Sequence, residues 1–273
     1  MKLKAVFIGA GSMAEAIIAG ALRSGALTPE HTYVTNKAND ARLRQLAEEF
    51  GVQTGYETST AVQEADIIVL AMKPKDAEAG LLSIRPFIHE HSVIISLLAG
   101  VGLDFMEETL GKPCAIIRSM PNTSAALRKS ATALALNRFV TEVQHAAAID
   151  LFSAIGTAIT VDESQMDAVT AVSGSGPAYF YYVAEAIQQA GEDLGLDHET
   201  AKELLIQTLL GAAAMFSKHD GQAAALRKAI TSPGGTTEAA IRTFDEFRTK
   251  QAIEAGVKEA AVQSKRLGKA YIR

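Results

Sequence analysis

The residues that could do chemistry in this chain gather late, between Leu226 and Ile241, in the sequence LRKAITSPGGTTEAAI. Pro233 fixes its own φ and has no N–H to donate, while the two glycines after it permit conformations closed to other residues. Thr236 and Thr237 stand where the N-cap of the following helix is expected. Free N–H groups and hydroxyls at the positive end of a helix suit a small anion, although a capped interhelical turn would use the same residues.

A second break of similar composition lies upstream, in the sequence TAVSGSGPAY from Thr170 to Tyr179. Because proline is typical of the first turn of a helix, the Ser-Gly-Ser-Gly run before Pro177 is predicted to be another turn with exposed N–H groups. We interpret the two turns as two walls of one small anionic site. The alternative is a pair of unrelated structural turns.

The chain opens with a different anion-binding pattern. The apolar run LKAVFIG at residues 3–9 predicts a buried strand, and a glycine turn and an apolar helical pattern follow at once. Gly9 would allow the tight turn and Gly11 the close approach of a pyrophosphate, with Ala14 replacing the third glycine of the usual pattern. This order of elements favours dinucleotide binding over an ordinary strand–helix turn.

The loop after the second predicted strand, HTYVT at residues 31–35, indicates which dinucleotide binds. A site for NAD usually has an acidic residue here that binds both ribose hydroxyls, but this chain has Asn36 and Lys37. An amide and a cation suit the 2′-phosphate of NADP, so NADPH is the predicted cofactor, with NADH also accepted. An ordinary solvated loop is the alternative.

Strand and helix patterns alternate through the first part of the chain and predict a doubly wound parallel sheet, the Rossmann fold. Small-residue loops with the sequences AMKP, SLLAG and RSMPNT should lie at the carboxyl edge of that sheet. The prediction is an α/β NADP-binding domain over residues 1–162 and an all-α domain over residues 163–273. The apolar faces of its helices suit dimerisation, with burial inside the domain as the alternative.

Composition argues against several other classes of function. The net charge is −5 without a long basic run, which argues against a nucleic-acid partner. The single cysteine, Cys114, excludes an internal disulfide and a cysteine-rich metal site, so no metal is predicted. The most apolar stretch, residues 204–216, is shorter than the roughly 20 residues a bilayer requires. We therefore expect a cytoplasmic protein with no membrane partner.

Together these motifs resemble the pyrroline-5-carboxylate reductase family. The sequence LRKAITSPGGTTEAAI, with SGSGPAY upstream, resembles the family's signature, and FIGAGSMAEAI, AMKP, SLLAG and RSMPNT are similar to its cofactor domain. The resemblance implies an NAD(P)H-dependent oxidoreductase that reduces L-1-pyrroline-5-carboxylate to L-proline, the last step of proline biosynthesis. It also implies a homodimer or a ring of dimers. The chain departs from many relatives at Ser124, where they have proline or alanine, and at Lys228, where an acidic residue is frequent.

The resemblance also implies roles for individual residues. Thr170 would be the catalytic residue, with its hydroxyl facing the ring nitrogen of the substrate. The substrate carboxylate would be held by Ser232, Gly235, Thr236 and Thr237, with Ser175 as a further substrate-binding residue. The residues lining the cofactor site would be Gly9, Gly11, Ser12, Met13, Asn36, Lys37, Ala71, Lys73, Pro74 and Ala99, with Asn122 near the nicotinamide.

The implied chemistry needs few reactive side chains. A protonated cyclic imine accepts hydride readily, so the protein has mainly to orient the two reactants. The β-hydroxyacid dehydrogenases are an alternative class with the same fold plan, but they use a general base, usually a lysine early in the second domain. The predicted helix at residues 178–194 contains no lysine. A non-catalytic NADP-binding protein is the other alternative, and it leaves the substrate turns unexplained.

Overall fold

The structure is a computed structural model that describes residues 3–218 and 222–271. The chain forms two compact units. The first runs to Pro177 and resumes at Glu259, and the second covers Ala178–Lys258. The predicted domain division after residue 162 stays a prediction.

The first unit is built around a sheet whose strands follow the predicted alternation. The strands are β1 (Ala5–Ile8), β2 (Thr32–Thr35), β3 (Gln53–Thr54), β4 (Ile67–Leu70), β5 (Val93–Ser96), β6 (Ala115–Met120), β7 (Ser130–Leu136) and β8 (Gly156–Thr160). Their order across the sheet is β3-β2-β1-β4-β5-β6-β7-β8. The strand order therefore reverses beside β1, as in doubly wound dinucleotide-binding folds.

The predicted Rossmann sheet is confirmed, with one difference. The described strand pairs are parallel except that β7 runs antiparallel to β6. Only residues 121–129 join these two strands, and a parallel crossover needs about a dozen residues or more. The short connection therefore reverses the direction of the chain.

Helices cover both faces of the sheet. In the first unit they are α1 (Ser12–Ser24), α2 (Asp40–Phe50), α3 (Ser59–Gln63), α4 (Ala77–Ile84), α5 (Leu103–Leu110), α6 (Glu142–Ser153) and α7 (Met166–Val169). Because alternate strand residues point to opposite faces, Phe7 packs in a core with α1, α2 and α6, while Val6 packs in a core with α3, α4 and α5. Burial on both faces explains why the central strands are continuous apolar runs.

Helices follow to the end of the described chain, as the sequence predicts. They are α8 (Gly176–Asp193), α9 (His198–Lys218), α10 (Ala223–Ala229), α11 (Thr236–Glu246) and α12 (Thr249–Gly268). Several large apolar side chains on α8 and α9 are exposed, namely Phe180, Tyr181, Tyr182, Leu209, Leu210, Met215 and Phe216. Exposed apolar side chains at this density are typical of an interaction surface. Within the described residues, no helix has the length and apolar character to cross a membrane.

Candidate active site

The turn between β1 and α1 carries the predicted glycine pattern. Gly9 has a φ of 123°, and a Cβ on it would overlap the backbone carbonyl group of Ala71. The Gly9 N–H donates to the Thr35 carbonyl at 2.9 Å, and the Ala71 N–H donates to the Ile8 carbonyl at 2.9 Å. Only glycine therefore fits where the backbones of β1, β2 and β4 converge.

Gly11 lies in a different environment. It is the N-cap of α1 with a φ of −76°, which any residue can adopt. Among the described residues, no atom outside the adjoining backbone of α1 and the two chain neighbours lies within 4 Å of a Cβ built on Gly11. The protein itself therefore does not require glycine here. The missing side chain leaves room for a ligand at a helix N-terminus, where the N–H groups of the first turn attract an anion.

A cavity of about 790 Å³ lies at the carboxyl ends of β1, β2 and β4. The predicted cofactor residues that line it are Gly9, Gly11, Asn36, Lys37, Ala71 and Lys73. Its size is within the range of ligand pockets, about 300–1,000 Å³, and its position matches the ligand crevice of open α/β sheets. Other lining residues, including Thr35, Thr58 and Asp76, were not predicted because they belong to no motif.

Asn36 and Lys37 are held in the loop after β2 to different degrees. The Asn36 carboxamide is bonded at both ends, since Nδ2 donates to the Asn39 carbonyl at 2.9 Å and Oδ1 accepts from the Asn39 N–H at 2.7 Å. The Lys37 side chain is 92% exposed, and its Nζ lies 3.9 Å from Oδ1 of Asp76. An exposed pair of this kind is weak, so a phosphate could replace Asp76 as the partner of Lys37.

Arg42 on α2 supports the glycine turn and was not predicted. Its Nε donates to the Ala10 carbonyl at 2.9 Å, and its Nη2 lies 2.6 Å from Oε2 of Glu15. The Arg42 side chain is only 19% exposed, which shields the ion pair from water. The contact holds the turn and neutralises a carboxylate in the first turn of α1, where a phosphate would bind.

The other predicted cofactor residues lie around this cavity or along the same edge of the sheet. Ser12 and Met13 form the start of α1, and Pro74 begins a 3₁₀ turn after β4. The Met13 side chain packs against the core, which leaves its backbone N–H as the group at the helix end. Ala99 lies in the loop after β5 and is exposed. These cofactor roles stay predictions.

Asn122 follows β6, and its side chain is bonded at both ends within the protein. Its Nδ2 donates to the Ser173 carbonyl at 3.1 Å, and its Oδ1 accepts from the Ser124 N–H at 3.1 Å. Its backbone N–H donates to Oγ of Ser130 at 3.0 Å. The assignment of Asn122 to the nicotinamide stays a prediction.

Pro177 lies in the first turn of α8, as predicted, but the predicted open turn before it is wrong: most of that stretch is helical, with a bend at Ser175. The chain from Thr170 to Gly174 is a π-helix that continues α7 toward α8, and the Ser175 N–H donates to the Thr170 carbonyl at 2.8 Å. Pro177 lacks an N–H and its ring crowds the carbonyl four residues earlier, so a widened helical turn accommodates it better than a regular one. Such π-helical turns are frequent at functional sites.

The Thr170 hydroxyl lies within this π-helix and is already engaged as a donor. Its Oγ1 donates to the Met166 carbonyl at 2.8 Å, one helical turn earlier. A hydroxyl has only one proton, so the Thr170 oxygen can offer a ligand only its lone pairs. It is therefore an acceptor for an N–H group.

The Pro-Gly-Gly turn belongs to the second unit. Gly234 has a φ of 74°, and its N–H donates to the Glu238 carboxylate at 2.8 Å. The predicted N-cap is corrected: Gly235 occupies it, with an extended backbone whose carbonyl accepts the first helical hydrogen bond, and Thr236 is already helical. A Cβ on Gly235 would lie 2.8 Å from Oγ of Ser232. A glycine N-cap supplies no side-chain acceptor, so the first N–H groups of α11 are left for a ligand.

The predicted union of both turns in one site stays a prediction. Thr170 and Ser175 belong to the first unit, whereas Ser232 and the residues from Gly235 to Thr237 belong to the second. Within its own unit, each group has the features expected of its role. Thr170 presents a polarised acceptor, and the start of α11 presents N–H donors beside hydroxyls.

The reversed strand order and the glycine-lined cavity define a dinucleotide-binding protein of the Rossmann class. The chain is 46% identical over 258 residues to pyrroline-5-carboxylate reductase 2 of Bacillus subtilis. The aligned region covers 94% of this chain and 92% of that protein. It belongs to the pyrroline-5-carboxylate reductase family.

Family models and solved structures agree with this membership. Residues 163–267 match a model described as pyrroline-5-carboxylate reductase dimerisation, and residues 4–100 match one described as NADP oxidoreductase, coenzyme F420-dependent. A pyrroline-5-carboxylate reductase from Coxiella burnetii superposes with a TM-score of 0.91 at 36% identity, over 98% of this chain and 99% of that one. A Plasmodium falciparum pyrroline carboxylate reductase with NADP bound gives a TM-score of 0.87 at 28% identity, over 97% and 98%.

Proposed function

We propose that this protein reduces L-1-pyrroline-5-carboxylate to L-proline with NADPH, NADH also being accepted, as the last step of proline biosynthesis. The observation that carries the proposal is the cavity lined by Gly9 and Gly11, in a chain that belongs to this family and also has the Ser-Pro-Gly-Gly-Thr-Thr sequence. The cavity suits a dinucleotide and the turn suits a carboxylate. These are the two partners that the reaction requires.

The residues at the cavity fit a nicotinamide dinucleotide. The open space beside Gly11 is where a side chain would obstruct a pyrophosphate at the start of α1. Lys37 would hold the 2′-phosphate, and Arg42 would keep the Glu15 carboxylate from repelling the phosphates. When bound, the reduced nicotinamide supplies the hydride for the carbon of the C=N bond.

Thr170 would accept a hydrogen bond from the protonated imine nitrogen. Its own proton is engaged by the Met166 carbonyl, which polarises the hydroxyl and leaves the lone pairs of the oxygen for an N–H donor. A charge-assisted bond of this kind favours the protonated imine over the neutral one. The protonated imine is the form that accepts hydride, so no strong side-chain acid is needed.

The start of α11 would anchor the substrate carboxylate. Ser232, Thr236 and Thr237 supply hydroxyls, and the glycine N-cap leaves backbone N–H groups at the positive end of the helix. Ser175 would add a further polar contact. Anchoring the substrate restricts how it can rotate, and this orientation lowers the barrier to hydride transfer.

We place this reaction in the cytoplasm and in a homodimer, or a ring of dimers. Support for self-association comes from the dimerisation model matched by residues 163–267 and from the exposed apolar side chains of α8 and α9. Support for the compartment comes from Cys114, which is a free and buried thiol whose pKa is raised by burial. A chain with a single cysteine has no internal disulfide that would need an oxidising compartment.

The test is to follow oxidation of NADPH with and without L-1-pyrroline-5-carboxylate and to identify L-proline as the product. Consumption that depends on the imine is expected, and no consumption with either nucleotide would refute the assignment. Incubation of NADP⁺ with short β-hydroxyacids serves as the control for the related dehydrogenase class. Reduction of NADP⁺ there, without imine reduction, would favour that class instead.

A further inference from the structure

The carbonyl of Ser173 lacks the donor that a regular helix would give it. That donor would be the N–H of residue 177, but Pro177 has no N–H and its ring crowds the carbonyl four residues earlier. Backbone carbonyls away from water are almost always paired. The donor here is Nδ2 of Asn122 at 3.1 Å, which comes from a strand end 51 positions earlier in the chain.

Other contacts fix the Asn122 carboxamide with its Nδ2 toward Ser173. Its Oδ1 accepts from the Ser124 N–H at 3.1 Å, which fixes the orientation of the carboxamide. Its backbone N–H donates to Oγ of Ser130, and that oxygen lies 3.2 Å from Oγ1 of Thr132 in the buried part of the sheet. Asn122 is only 9% exposed, so water competes little for these bonds.

We propose that Asn122 is a positioning residue for Thr170. It supplies the donor that Pro177 lacks and so fixes the π-helical turn that carries the Thr170 hydroxyl. The turn also faces the end of β6, since a Cβ on Gly174 would lie 2.5 Å from Cε of Met120, a flexible side-chain end that could shift. The inference rests on the proposed function, in which Thr170 acts on the imine nitrogen. It differs from a direct contact between Asn122 and the nicotinamide.

The first measurement separates positioning from cofactor contact. Asn122→Ala should lower kcat/KM for the imine by roughly tenfold to a hundredfold, the usual cost of a displaced reacting group. The Kd for NADPH, measured by fluorescence titration, should stay within about twofold of wild type. Asn122→Asp keeps the bond from the Ser124 N–H but sets an acceptor against the Ser173 carbonyl, so its loss should be at least as large.

The second measurement tests the missing donor directly. Pro177→Ala restores a backbone N–H at the position that serves the Ser173 carbonyl in a regular helix. The double variant Asn122→Ala/Pro177→Ala should therefore recover most of the activity lost in Asn122→Ala, a non-additivity that independent sites do not show. Ser173→Ala is the control for the other contacts of this residue, because it keeps the carbonyl but removes a hydroxyl that lies 3.4 Å from Nδ2 of Asn122 and donates to the Ala131 carbonyl at 2.8 Å. If the carbonyl is the contact that matters, this variant should lose less activity than Asn122→Ala.

Two outcomes would overturn the inference. One is a rise of about tenfold in the Kd for NADPH with kcat unchanged, which would make Asn122 a cofactor contact. The other is a double variant as impaired as Asn122→Ala alone. If Asn122→Ala does not fold, the same comparison is made with Asn122→Ser and its double variant, because serine keeps a side-chain oxygen for the Ser124 N–H without placing a carboxylate against the Ser173 carbonyl. Turnover of the imine by the wild-type protein reports on the proposed function separately.

Discussion

Alanine substitutions at the two glycines of the turn between β1 and α1 should affect different properties. Gly9→Ala should lower the stability of the protein, and Gly11→Ala should lower its affinity for the cofactor. Gly9→Ala places a Cβ against the Ala71 carbonyl group and 2.7 Å from the Met72 nitrogen, at a φ of 123°. The disfavoured φ costs about 1–3 kcal/mol and the overpacking about as much again. The total of roughly 2–6 kcal/mol is a large part of a typical net stability of about 5–15 kcal/mol. The melting temperature of the protein should fall by roughly 4–20 °C.

Gly11→Ala should leave the protein stable and impair the cofactor site. Its φ of −76° suits alanine, and among the described residues no atom beyond its chain neighbours and the start of α1 lies within 4 Å of the new Cβ. Alanine is a poorer N-cap than glycine but restricts the unfolded chain, so the net change should be within about 1 kcal/mol. The Cβ would occupy the space that a pyrophosphate needs, so the Kd for NADPH should rise at least about tenfold.

The assay is a thermal melt of each variant with and without NADPH, together with a fluorescence titration of the nucleotide. Bound NADPH should raise the melting temperature of the wild-type protein. This shift should be much smaller for Gly11→Ala, although its melting temperature without ligand should be close to that of wild type. Gly9→Ala should already melt early without ligand. Wild-type affinity for NADPH in Gly11→Ala, or a wild-type melting temperature in Gly9→Ala, would refute the reasoning.

Four further predictions test the remaining contacts. Arg42→Ala should raise the Kd for NADPH roughly tenfold, because the turn loses its support and Glu15 is left unpaired; adding Glu15→Gln should recover part of the loss. Lys37→Ala should raise the Kd for NADPH roughly tenfold and change the Kd for NADH little. An equal rise for both would argue against a 2′-phosphate contact. Thr170→Val should lower kcat roughly tenfold or more while Thr170→Ser keeps most of it, which steady-state kinetics can check. Thr237→Ala should raise the KM for the imine far more than that for NADPH; equal effects would indicate a merely structural turn.

The cofactor half of the site was largely predictable because its signals are local. A buried strand, a glycine turn and a helix are adjacent in the sequence, and the structure places Gly9 and Gly11 between β1 and α1 as that order requires. The carboxyl ends of neighbouring strands meet at one edge, which brings Asn36, Ala71 and Lys73 to the same cavity. Each of these placements follows from the fold plan and from strand ends that a sequence pattern locates well.

The residues that support the site were not predictable, because their contacts join distant parts of the chain. Arg42 reaches the Ala10 carbonyl across 32 positions, and Asn122 reaches Ser173 across 51. Neither contact leaves a spacing that a sequence pattern could show. The π-helix was not predictable for a related reason. Pro177 shows that one helical hydrogen bond must be missing, but either a turn or a widened helix can accommodate the missing bond. The outside donor for the freed Ser173 carbonyl becomes visible only in the structure.

The return of the C-terminal segment to the first unit has a consequence for the cofactor loops. A helical pattern predicts α12 but does not indicate what its last turns contact. In the structure Oγ of Ser264 donates to the Asp167 carboxylate at 2.7 Å, and a Cβ on Gly268 would lie 3.1 Å from the carbonyl oxygen of Gly100. Gly100 is the residue after Ala99, in the loop predicted to line the cofactor site. A side chain at Gly268 would therefore crowd this carbonyl and require the Gly100 loop to shift by a few tenths of an ångström. The shape of that loop therefore depends on residues more than 160 positions later in the chain.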